Sequence, residues 1–120
     1  MKNNEAPKEQ VLLQIEDLIH GLRMKIEKDK DSYFLYIDRY DFGALRNFDE
    51  QISGYEQTLK FVRSVSIKES ASGKEVLKEV VHSMKTDWLP DAEKRGSLFN
   101  AAAQRVFARL SRLASENSGD

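Results

Sequence analysis

The sequence predicts an all-α fold, an antiparallel bundle of about four helices. Three observations predict it. Apolar residues recur at steps of three and four in separate stretches, the spacing that keeps side chains on one side of a helix. Short connectors with capping or helix-breaking residues separate those stretches. The one β-rich run, YFLYI, would find no second strand with which to pair its backbone. The expected helices span roughly 7–28, 44–66, 73–88 and 91–115.

For the first helix, Asn4 is the expected cap, and Pro7 fits a first turn where its missing N–H does no harm. Leu12, Ile15, Ile19, Leu22 and Ile26 form the stripe, widened by Val11 and Leu18. Gly21 falls inside it. A glycine there weakens a helix by about 1 kcal/mol relative to alanine, so close packing against a neighbour is expected.

The segment 33–42 holds five of the eleven aromatic residues, Tyr33, Phe34, Tyr36, Tyr40 and Phe42. It reads as helical or irregular, with the first helix carried into it or a second short helix, and Gly43 is the expected break after it. The stretch 44–65 follows, with Leu45, Phe48, Ile52, Tyr55, Leu59 and Val62 on one face. It covers about three heptads, the lower limit for a self-contained coiled coil, and Phe61 and Val65 lie off its seam. A central bundle helix with more than one neighbour is therefore expected.

SIKESASG is a connector, and Ser72 with Glu75 has the spacing of a capping box, which starts a third helix near Gly73. Leu77, Val81, Met84 and Trp88, helped by Val80, give that helix its apolar face. Leu89-Pro90 should end it, because the residue before proline disfavours helical geometry. Asp91 is the expected N-cap of the last helix, whose face is Phe99, Ala103, Val106, Phe107, Leu110 and Leu113. Residues 1–6 and 116–120 should fray.

At 120 residues the chain fits a single domain, 1–120, able to fold without a disulfide or metal. It has no cysteine, which rules out a disulfide framework and thiol chemistry. MKNNEAPKEQ lacks the apolar core of a secretory signal, and no apolar run approaches the roughly 20 residues that cross a bilayer. A soluble, cytoplasmic protein with no membrane contact is expected. The formal net charge of −1 hides an uneven spread. Residues 27–56 carry eight acids against four bases, while 94–115 carries five bases and no acid.

Reactive constellations are weak. Asp29, Lys30, Asp31 and Ser32 resemble the start of a calcium loop, but Tyr33 and Phe34 stand where oxygen ligands and glycine are needed. His20 and His82 follow Asp17 and Glu79 by three residues, the spacing of di-metal bundle ligands, yet both fall away from the apolar stripes that face a core. Asp38, Asp41, Asp49 and Glu50 read as a solvated acidic face rather than an acid–base or magnesium site. No phosphate loop, nucleophile elbow or metalloprotease motif occurs. No catalytic residue, cofactor or metal is assigned, and the chain is not expected to be an enzyme.

Two surfaces suit a partner. Tyr33, Tyr36, Arg39 and Tyr40 belong to the aromatic segment, and tyrosine and arginine are enriched at interface centres; alternatively its rings cap one end of the core. Arg105, Arg109 and Arg112, spaced by four and three, form a cationic row beside the last helix's apolar face. Phe61 is a further candidate for an intersubunit contact. The expectation is a non-enzymatic protein-interaction or regulatory module acting through helical surfaces, alone or as a homodimer. The alternative is a nucleic-acid-associated regulator that uses the arginine row on phosphates.

Overall fold

The computed structural model describes residues 7–36 and 41–118. Every described element is helical: α1 (Lys8–Tyr36), α2 (Phe42–Ser64), α3 (Gly73–Ser83), a π turn (Met84–Trp88), α4 (Leu89–Glu93) and α5 (Ser97–Ser118). Because α3, the π turn and α4 form one continuous arm, the architecture is an all-α bundle of four helical arms. No described helix is long and apolar enough to cross a membrane.

α1 and α2 form an antiparallel hairpin. Three ion pairs fix its register: Glu16–Arg63 at 3.0 Å, Arg23–Glu56 at 3.5 Å and Lys30–Asp49 at 2.7 Å. The partners advance by seven residues on each helix, two turns that return a side chain to nearly the same face. Pairs this exposed contribute at most about 1 kcal/mol each. The reversal of sign between the first pair and the second favours this register: a slip of one heptad would set Glu16 against Glu56 or Arg23 against Arg63 and keep only one attractive pair.

α2 lies between α1 and α5, and α3 packs on both α1 and α5. The core is built from Val11, Ile15, Ile19 and Ile26 of α1, Tyr55, Leu59 and Val62 of α2, Val76, Leu77, Val80 and Met84, Trp88, and Phe99, Ala102, Ala103, Val106 and Leu110 of α5. The expected stripes are thus the buried faces. α3 starts as expected, with the Ser72 hydroxyl accepting from the Glu75 N–H and the Glu75 carboxylate accepting from the Ser72 N–H.

One open alternative resolves, with the first helix carried onward, and four boundaries or contacts differ from the expectation. α1 continues past Lys28 to Tyr36, since nothing between breaks a helix and Lys30 and Tyr33 gain partners on α2. α2 begins at Phe42 rather than after Gly43, because the Asp41 carboxylate accepts from the Gly43 and Ala44 N–H groups. Pro90 does not end the third arm. Its missing N–H and its ring are accommodated by the wider π turn, in which the Leu89 N–H reaches back five residues to the Met84 carbonyl. The break comes at Gly96, whose φ of +128° suits only glycine. α5 therefore starts at Ser97, while Asp91 sits in α4 and pairs with Arg95. Gly21, finally, has nothing within 4 Å of a would-be Cβ.

The close approach lies at Gly54 instead. A Cβ there would fall 2.8 Å from the Ala102 Cβ and 2.8 Å from the Phe99 carbonyl oxygen of α5. One turn on, Thr58 is fully buried; its hydroxyl donates to the Gly54 carbonyl at 2.7 Å and accepts from Trp88 Nε1–H at 2.9 Å. The Trp88 ring stacks on Phe61 (5.3 Å, 19°) and lies against Phe99, with the Arg95 guanidinium 5.3 Å from its centre.

Thr58→Val keeps the shape but leaves Trp88 Nε1–H unpaired in the core. It should lower stability by about 1–3 kcal/mol, read as a lower denaturation midpoint followed by the fluorescence of the single tryptophan. A second expectation concerns acid. The hydrogen bond from Arg63 holds the Glu16 carboxyl below its ordinary value, against a smaller opposing effect of burial. A depressed carboxylate pKa contributes stability that is present above the unfolded value and lost as pH falls through the folded one. The melting temperature should therefore fall with pH below about 4.5, and less steeply in Glu16→Gln.

Candidate interaction surfaces

Towards its turn the α1–α2 hairpin is less covered: Phe48 and Ile52 still pack against the core, and past them the two helices run on as a short arm. The last buried side chain on α1 is Ile26 and the first on α2 is Tyr55; among the described residues between them no side chain is fully buried. Tyr33, Ala44, Leu45, Phe48 and Ile52 are half-buried along the seam. A seam flanked by two helices covers its side chains on only part of their surface, so these residues stay half wet.

Tyr33 joins the two ends of the arm. Its ring meets Phe48 edge-on at 5.7 Å and Phe34 at 6.3 Å. Burial first, and the Asp41 carboxylate second, push its hydroxyl above the ordinary tyrosine value. At the tip three large apolar side chains face water: Phe34 at 40% exposure, Leu35 at 75% and Phe42 at 71%. The aromatic segment thus divides. Tyr33 packs against α2, Phe34 and Phe42 are exposed, and Arg39, Tyr40 and the side chain of Tyr36 lie outside the described residues, as does Asp38. Leu35 carries the largest exposure and was passed over in the sequence, where aromatic types drew the choice.

The arginine row is present on the outside of α5. Arg105, Arg109 and Arg112 are all exposed. Arg105 donates from Nη1 to the Tyr55 hydroxyl at 2.8 Å, which gives the polar end of a ring buried in the core its partner. Arg109 and Arg112 make no ion pair or hydrogen bond with any described residue. Phe61 is half-buried and occupied by Trp88, so its ring belongs to the core's edge.

Three of the acidic residues have structural partners. Glu50 Oε2 accepts from the Leu98 N–H at 2.9 Å and the Phe99 N–H at 3.0 Å, so this carboxylate caps α5 from another helix. A negative group is favoured there by the helix dipole. Asp49 is held by Lys30, and Asp41 caps α2. His20 is half-buried on α1 and His82 exposed on α3. His82 and Glu79 line an open cleft of about 860 Å³ with Ser66, Ile67, Lys68 and Lys78. Among the described residues no three His, Asp or Glu side chains come together to hold a metal.

No protein family, curated protein or solved structure matches the chain.

Because Glu50 satisfies two first-turn N–H groups that no other described residue meets, Glu50→Ala should cost about 1 kcal/mol, the usual size of a lost cap. Thermal unfolding measures it. Glu50→Gln, which keeps an acceptor but loses the charge, should fall between wild type and alanine.

Proposed function

We propose that this chain is a non-enzymatic interaction module of the cytoplasm, binding another protein through the distal arm of the α1–α2 hairpin. The carrying observation is the tip itself, where Phe34, Leu35 and Phe42 stand exposed on two helices held in register by ion pairs. Large apolar side chains left in water at one end of an otherwise charged protein suit association with a partner. The rest of the molecule supports the reading by what its polar groups do. The carboxylates at 41, 49 and 50 serve as caps and an ion-pair partner, so none of them is left to act as an acid–base pair.

The substitutions Leu35→Asp and Phe42→Asp test this directly. Neither residue belongs to the core, so both variants should keep the wild-type melting temperature and tryptophan emission. Both should lose the proteins that wild type retains on affinity resin, identified by mass spectrometry; retention of the same set by the variants would sink the proposal. Homodimerisation is the self-binding form of it, and sedimentation of wild type against Leu35→Asp separates that form from capture of another protein.

Arg109 and Arg112 favour a second reading, nucleic-acid association, because two guanidinium groups without partners among the described residues stand in a row with Arg105. Binding would weaken steeply with salt and vanish when Arg109 and Arg112 become Gln. No shift of labelled DNA or RNA at 50 mM salt would eliminate it.

A further inference from the structure

We draw no further inference here: the strongest candidate, the open cleft of about 860 Å³ between the 66–71 connector and α3, carries nothing, because Lys68 and Lys78 in its lining are balanced by Glu75 and Glu79, all four are exposed, and nothing in the structure shows what would occupy it.

Discussion

Gly54 has no room for a side chain, and the rest of the core is arranged around that. With a Cβ excluded at 2.8 Å by Ala102 and by the Phe99 carbonyl, α2 and α5 approach until backbone meets backbone. The same turn of α2 carries Thr58, whose hydroxyl is satisfied from both sides, donating to the Gly54 carbonyl and accepting from Trp88. Trp88 in turn is the hub between Phe61, Phe99 and Arg95. One helical turn thereby ties α2 to α5 and to the π turn. A change at any of these three residues costs through a different route: overpacking at Gly54, an orphaned indole N–H at Thr58, a large cavity at Trp88.

That cluster and the core of α1, α3 and α5 occupy one part of the hairpin, and the remainder projects. Its two halves are bound by different physics. In the core, packing decides the geometry and the ion pairs only mark the register. In the arm, where none of the described side chains is fully buried, the Lys30–Asp49 pair and the Tyr33–Phe48 contact help hold the helices together. Helix stability in proteins comes mostly from buried apolar faces rather than propensity. The arm should therefore be the first part of the hairpin to open, well before the turn at Gly54.

The sequence made the buried faces legible because periodicity reports which side of a helix is apolar, and the Ser72–Glu75 box legible because both partners lie within one turn. What it concealed were contacts between distant segments. Glu50 caps a helix that begins 47 positions later, and nothing local distinguishes it from the solvated acids nearby. Gly21 and Gly54 look alike as helical glycines; only the neighbour makes one a close approach and leaves the other open. Pro90 reads as a stop because the rule concerns an α-helix, and a π turn escapes it. Phe61 was legible as off the seam, but not that Trp88 would take it. Within the aromatic segment the division was not legible, with Tyr33 packed on α2 and Phe34 and Phe42 exposed, since a stripe states a direction and not a number of neighbours.

The magnitudes bear on the kind of binding the arm can support. Fully burying a Leu or Phe side chain is worth roughly 1.5–3 kcal/mol, and the three tip residues already lose part of that by being 25–60% covered. Completing the seam over Tyr33, Leu45, Phe48 and Ile52 adds a further, smaller share, because those side chains are half-buried before any partner arrives. Against this stands a cost of about 4–15 kcal/mol for lost freedom on association. Apolar burial alone thus leaves little net affinity. An arm of this size therefore suits a partner that comes and goes, held by a small apolar contact.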